Sequence, residues 1–222
     1  LRCVRGCIRI DIASGSWIIP PMRLAFIPAG TPARATGTEG ATCERVLVTP
    51  EAFVSGERVT AFAAPSVLQE MITYARRWSA HSALSDPDAE PVLRALACLA
   101  NRAMARETPN FIPSGCSGSV RTGLLETRRR HSDPSLVFAD IAACSKRSPR
   151  TLSRRILAET GLTWGEILRR IRMAEAVSTM IAGERSVQAV AHSVGYGSMS
   201  AFTIAFRSFA GVNPSRFRRL AR

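Results

Sequence analysis

Along the first sixty residues apolar and polar side chains alternate in period two: in CIRIDI, Ile8, Ile10 and Ile12 are separated by Arg9 and Asp11. That spacing sends successive side chains to opposite faces of a strand, and SGSW, IPP, PAG and TEG place turn residues between the runs, so the region reads as short β-strands. The period changes at Pro65. In SVLQEMITYARRW, Val67, Leu68, Met71, Ile72 and Ala75 share one helical face, and Val92, Leu93, Leu96, Leu99 and Ala100 repeat the spacing, which predicts two amphipathic helices. Their apolar faces suit packing within one chain or between two. The stretch TPNFIPSGCSGSV, residues 108–120, is rich in Pro, Gly and Ser and reads as a linker.

Beyond about Arg121 the pattern is helical in short, well-punctuated pieces. Thr163-Trp164-Gly165-Glu166 has the form of a capping box, in which the Thr oxygen accepts a backbone N–H of the first turn and the Glu carboxylate reaches back to the cap residue. It predicts a helix from Trp164 to about Ala182, stopped by Gly183. Ser186 caps the next helix, with Val187, Val190, Ala191 and Val194 inward, and Gly195 permits the left-handed backbone of a tight turn. Ser198 starts a third helix with Phe202, Ala205, Phe206 and Phe209 inward and Gly211 at its end, after which Asn213-Pro214 opens a last short one.

A helix-turn-helix unit needs a small residue where its two helices cross, a sharp turn a few residues later, and a second helix with a polar outer face. Ala191, Gly195 and the helix Ser198–Arg207 meet these demands. The same plan occurs upstream: Ala142 in a helix Phe138–Cys144, a turn at Ser145–Arg147, then Ser148-Pro149 opening RTLSRRILAE with Leu152 and Ile156 inward and Arg150, Thr151, Arg154 and Arg155 outward. A helix from Trp164 to Ala182 is roughly 28 Å long at about 1.5 Å per residue. One turn of B-DNA is about 34 Å, so two reading helices joined by such a rod can enter successive major grooves on one face of a duplex.

Charge supports the same half of the chain. The net charge is +13, from 30 Lys and Arg against 17 Asp and Glu. Residues 1–120 carry 12 basic and 10 acidic side chains, +2, whereas residues 121–222 carry 18 and 7, +11. A polyanionic partner would therefore meet the C-terminal half. Lys146 is the only lysine, so the preference for Arg reflects genomic composition as readily as phosphate binding and is given no weight. With 46% hydrophobic residues in 222, globular cores are affordable. No run approaches the roughly 18 apolar residues of a membrane span, and no signal-peptide pattern opens the chain. A cytoplasmic location without membrane association is expected. Six cysteines lack paired C-x-x-C spacing and read as free thiols; Cys3 and Cys7, four apart, fall on one face of the strand expected there. Only His81, His131 and His192 are histidines, none in the strand region, so no metal site or other cofactor is expected.

The stretch SPRTLSRRILAETGLTWGEILRRIRMAEAVSTMIAGERSVQAVAHSVGYGSMSAFTIAFRSFAGVNPSRFRR resembles the DNA-binding domain of the AraC/XylS family over residues 134–219. The SPRTLSR helix, the Arg172-to-Ala176 spacing in the linking helix, the VGY turn, the SAFxxAF helix and the G-x-N-P-S-R-F close fall in the family's order. Two departures stand out. Lys146 and Arg147, preceded by Ser145, replace a Gly and an apolar residue in the first turn, which predicts a less stable first unit whose turn faces phosphate. Ile204 stands where a basic residue is common, which predicts a missing backbone contact. GSWIIPPMRLAFIPAGTPARATGTEG is similar to the cupin-like sensor domain of one branch of the family over about residues 5–55, with Arg34 where that branch has a histidine; the barrel is expected to be incomplete or repurposed.

These readings predict an α+β chain: a partial cupin-like β region at 1–60, a helical region at 61–107 suited to dimerisation, a linker at 108–120 and an all-α domain with two helix-turn-helix units at 121–222. The expected function is sequence-specific DNA binding that controls transcription, not catalysis. Ser148, Arg150, Thr151, Arg154, Arg155, Ser198, Met199, Ser200, Thr203 and Arg207 are the expected DNA-contacting residues, with Arg150, Thr151, Arg154, Ser198, Met199 and Thr203 facing base edges. The clusters Arg128–Arg130 and Arg216–Arg219 are expected near phosphates, whereas Trp164, Phe202, Phe206 and Phe209 are expected in the core. The expected partner is a double-stranded DNA operator; the resemblance further implies RNA polymerase, a homodimer and a small-molecule effector. The alternatives are a basic protein that coats nucleic acid without reading it, a regulator that has lost its effector response, and an enzyme of the metal-dependent cupin or DNA-repair kind. The missing ligand histidines and paired cysteines speak against the enzyme.

Overall fold

The computed structural model describes residues 1–48, 58–79, 81–106, 108–183 and 185–220. The part of the expected β region at 49–57 lies outside the described residues. The N-terminal half contains two antiparallel four-stranded sheets. One has the order β6 (Thr42–Glu44), β1 (Arg2–Arg5), β4 (Arg23–Phe26), β7 (Thr60–Ala63); the other has β5 (Arg34–Gly37), β2 (Ile8–Ile12), β3 (Gly15–Ile19), β8 (Phe111–Pro113). The period-two run forms the β2–β3 hairpin, with Ile8 opposite Ile19 and Ile10 opposite Trp17. Those four side chains meet Cys3, Ala25 and Ala61 of the first sheet in a core between the two layers, each large apolar side chain contributing about 1.5–3 kcal/mol by leaving water.

Three local expectations are corrected. SGSW is not one turn: the hairpin bends at Ala13 and Ser14, and Gly15, Ser16 and Trp17 already belong to β3. Cys3 and Cys7 do not share a strand face, because a turn at Gly6, in the left-handed region at φ 78°, separates β1 from β2 and sends them to different sheets. The stretch 108–120 is not a plain linker: Phe111–Pro113 adds a strand to β3, with Trp17 opposite Phe111, and helix α4 (Gly118–Arg130) begins inside it. Pro and Gly content marked the bends at its ends but concealed the three-residue strand between them.

Helices α1 (Ser66–Ala75) and α3 (Ala89–Met104), with the short α2 (Ser82–Ser85) before the latter, lie on the first sheet. Leu68, Ile72, Leu96 and Ala100 are buried against Leu24 and Phe62, so the predicted apolar faces are used within the chain; Val67, at 53% exposed, is the exception. The C-terminal half is all helical: α4 is followed by α5 (Phe138–Cys144), α6 (Pro149–Thr160), α7 (Trp164–Ala182), α8 (Val187–Ser193), α9 (Met199–Ala210) and α10 (Pro214–Leu220).

The two halves share a core. Ile18 of β3, Ile112 of β8 and Cys7 belong to the same buried cluster as Ile171, Leu124 and the helix-turn-helix interiors. Strand β3 is therefore buried on both sides, with Trp17 and Ile19 against the other sheet and Ile18 against the helices. Among the described residues no helix is long and apolar enough to cross a membrane.

Candidate nucleic-acid interface

Each of two helix pairs, α5–α6 and α8–α9, is built from local signals. Ala142 on α5 and Ala191 on α8 are fully buried in the shared helical core, the small residues a helix crossing calls for. Each first helix ends in the same pair of backbone bonds: Lys146 N–H donates to Ala143 O (2.9 Å) and Arg147 N–H to Ala142 O (3.0 Å), and Gly195 N–H donates to His192 O (3.0 Å) and Tyr196 N–H to Ala191 O (2.9 Å). Both turns need a left-handed residue, Lys146 at φ 51° and Gly195 at φ 80°. Each second helix starts with a serine cap: Ser148 Oγ accepts from Thr151 N–H (3.2 Å), and Ser198 Oγ from Ala201 N–H (3.4 Å). Each ends on a left-handed glycine, Gly161 and Gly211.

Helix α7 joins the pairs and has the predicted limits. Thr163 Oγ1 accepts from Glu166 N–H while Glu166 Oε2 accepts from Thr163 N–H at 2.8 Å, completing the capping box. The Thr163 N–H, together with the Thr163 hydroxyl that donates to the same Oε2 at 2.7 Å, holds the Glu166 carboxyl below its usual pKa. Trp164 donates its Nε1–H to Thr127 Oγ1 (2.9 Å) and packs its ring 5.2 Å from that of Phe138, so it is a packing residue.

Of the predicted contact residues, Ser148, Arg150, Arg154 and Arg155 are exposed on the outer side of α6, with Thr151 half-buried beside the cap. Ser198, Met199, Ser200 and Arg207 are exposed on or before α9, with Thr203 half-buried. Arg155 also donates to Ser119 Oγ of α4 at 3.3 Å. Phe202, Phe206 and Phe209 are core residues. Arg128–Arg130 does not form a free basic patch: Arg129 pairs with Glu126, Arg130 pairs with Asp133 and Asp140, and Arg128 turns into a cleft against the sheet.

Sequence reasoning missed the residues that hold this surface in place. Arg172 of α7 donates to His131 O (2.8 Å), Asp133 O (3.0 Å) and Gly195 O (3.2 Å), tying the loop before α5 to the turn of the second unit. Arg23 of β4, buried, donates through Nη2 to Ser208 O (2.6 Å) and through Nε to Phe209 O (3.1 Å), and Asn110 Nδ2–H also reaches Phe209 O (3.2 Å). A guanidinium at the C-terminal end of α9 meets the negative end of the helix dipole. Burial pushes the Arg23 pKa down to about 10. Glu159 near the end of α6 accepts from Cys116 N–H (2.8 Å) and Ser117 N–H (2.9 Å) at the start of α4. The Arg172-to-Ala176 spacing was the one available signal; Arg23 and Asn110 meet partners 186 and 99 residues away.

A helix-turn-helix domain model matches residues 141–220. The HTH-type transcriptional regulator NimR of Escherichia coli is 24% identical over 217 residues, 96% of this chain and 77% of that protein. A putative AraC-like transcription regulator of Streptomyces antibioticus is 37% identical over 91 residues, 40% of this chain and 30% of that one. Among solved structures, the C-terminal domain of AraT, a response regulator from Geobacillus stearothermophilus, has 31% identity, covers 46% of this chain and 85% of that chain, and gives a TM-score of 0.44. Residues 141–220 are thus a helix-turn-helix domain of the AraC type, the kind its relatives among transcription regulators carry.

Proposed function

We propose that residues 121–222 bind a double-stranded DNA operator as a unit, with α6 and α9 in successive major grooves on one face of the duplex. The observation that carries this reading is the repeated geometry of the two helix pairs, with the same buried alanine, left-handed turn and serine cap, joined by a 19-residue α7. Cap-region N–H groups, Ser148, Arg155, Ser200 and Arg207 fix the register on phosphates. Arg150, Thr151, Arg154, Ser198, Met199 and Thr203 face base edges. Regulation follows from bound protein recruiting or obstructing RNA polymerase.

A small-molecule effector fits the cleft of about 360 Å³ between β2–β3 and helices α4 and α7, lined by Arg9, Ser16, Thr36, Arg128, Ile171 and Glu175. Arg9 and Arg128 give this cleft a basic side and Glu175 an acidic group, and the Arg128 Nη2 atom is buried without a hydrogen-bond partner among the described residues. Exposed Val67, Tyr74 and Leu84 around α1 and α2 offer apolar surface for a homodimer.

The test is selection of random duplex DNA by the purified chain, followed by titration of the enriched site and a scrambled one at two salt concentrations. Two enriched segments about one helical turn apart, bound at least about a thousandfold more tightly than the scrambled site, are expected. Equal binding of every duplex with a steep salt dependence would leave a basic DNA-coating protein.

A further inference from the structure

The two reading helices align residue for residue at an offset of fifty: Ser148 with Ser198, Leu152 with Phe202, Ile156 with Phe206, Gly161 with Gly211. At the two positions one turn apart at the centre of the outer face, α6 carries Arg150 and Arg154, and α9 carries Ser200 and Ile204. Ile204 is 72% exposed, opposite the buried Phe202, Phe206 and Phe209. Met199, at 38% exposed, and Ala201 add apolar surface to the first turn. From Met199 to Phe206 there is no charged or amide side chain, and the first such group, Arg207, lies in the last turn.

This inventory restricts what α9 can read. Guanine is recognised by a bidentate Arg or Lys, adenine by a bidentate Asn or Gln, and cytosine by an acidic acceptor; the first two turns of α9 have none of these. What remains is hydroxyl groups and apolar surface, and the apolar feature of the major groove is the thymine 5-methyl group. Arg23 and Asn110 anchor the far end of the helix, so this face is presented rigidly.

We propose that α9 selects thymines by apolar contact, with Ile204 as the principal specificity residue, while α6 selects guanines through Arg150 and Arg154. The operator then has unlike halves, and the chain recognises it in one orientation only. This rests on the reading of α6 and α9 as the two base-reading helices.

The experiment uses the full chain and the site enriched by selection. The segment whose preference relaxes in Arg154→Ala belongs to α6, and the other to α9. Thymidines of the α9 segment are replaced by deoxyuridine, which removes the 5-methyl group and leaves every hydrogen-bonding edge intact. The wild-type chain should lose about four-fold in affinity per contacted methyl, the factor for one buried methyl group. Ile204→Ser, an exposed substitution that leaves the core untouched, should bind the two duplexes alike, and deoxyuridine in the α6 segment should change nothing. Unchanged wild-type affinity on the deoxyuridine site, or undiminished sensitivity in Ile204→Ser, would overturn the assignment while leaving two-helix recognition in place. A selection that enriches no site would overturn that recognition and this assignment together.

Discussion

The two helix-turn-helix units share a backbone solution and reach it with different residues. In the second, the left-handed turn residue lies directly against Arg172: a Cβ on Gly195 would sit 2.7 Å from Arg172 Nη2. Glycine suits the conformation, and any side chain there would push Arg172 off the three carbonyls that hold it. In the first, the turn residue is Lys146, exposed and outside the network that Arg172 makes, so the conformation is reached with a side chain at a cost of about 1–2 kcal/mol for the left-handed backbone. The far ends differ as well. The last carbonyls of α9 are held by Arg23 and Asn110 from the β-sheet half, whereas α6 is tied through Glu159 to the start of α4. The second unit is thus built into the rest of the protein and carries a nearly uncharged reading face. The first is more independent and carries the arginines. Identity at a turn position follows from what packs on it, and the motif alone does not set it.

This contrast can be broken most strongly at Gly195. Gly195→Ala adds both the strained backbone and the clash with Arg172 and should lower stability by about 2–4 kcal/mol in a urea titration. Lys146→Ala, at the matched turn, should stay within about 0.5 kcal/mol because the native residue already has a Cβ. Loss of equal size at both positions would remove the distinction between the turns.

On the reading faces, Arg154→Ala should weaken operator binding by about ten- to a hundredfold, the range for one bidentate base contact, and binding to random duplex far less. Equal losses on both duplexes in equilibrium titrations would reduce Arg154 to a phosphate contact. Lys146→Gly should sharpen the comparison from the other side, raising stability by about 0.5–1 kcal/mol in the same urea titration as strain in the first turn is relieved; no gain would mean that the Lys146 side chain compensates the strain.

The smallest expected effect concerns the start of α7. Hydrogen bonds from Thr163 hold the Glu166 carboxyl below its ordinary value, so its folded pKa is depressed relative to the unfolded chain. Its contribution is therefore present above the unfolded pKa and is lost as pH falls through the lower, folded value. Glu166→Gln should flatten part of the fall in melting temperature between about pH 5 and pH 3. An unchanged acid profile would show that the capping-box carboxylate is not among the groups responsible.

Much of the C-terminal half was legible because its signals are local. Thr163 and Glu166, Ser198 and Ala201, and Ser148 and Thr151 lie three residues apart, so side-chain oxygen and backbone donor meet as soon as one helical turn forms. The outward placement of Arg150 and Arg154 likewise follows from helical spacing once Leu152 and Ile156 are buried. Less could be read where a partner is distant. Phe111–Pro113 is a strand because β3 offers it an edge, and nothing within residues 108–120 encodes that edge. Cys3 and Cys7 part company at a single turn residue, Gly6, which period-two counting passes over.

By itself, then, the amino-acid order determined the caps, turns and buried faces of the helices, since each depends on residues within about one turn of one another. It also determined which side chains the reading helices present. Tertiary structure decided that the sheet half and the helical half share a core, that Arg23 and Asn110 fasten the end of α9, and that Arg172 rests on the turn at Gly195. Those contacts join residues tens to nearly two hundred positions apart, and their register is set by packing over the whole chain, which no local spacing of polar and apolar residues records.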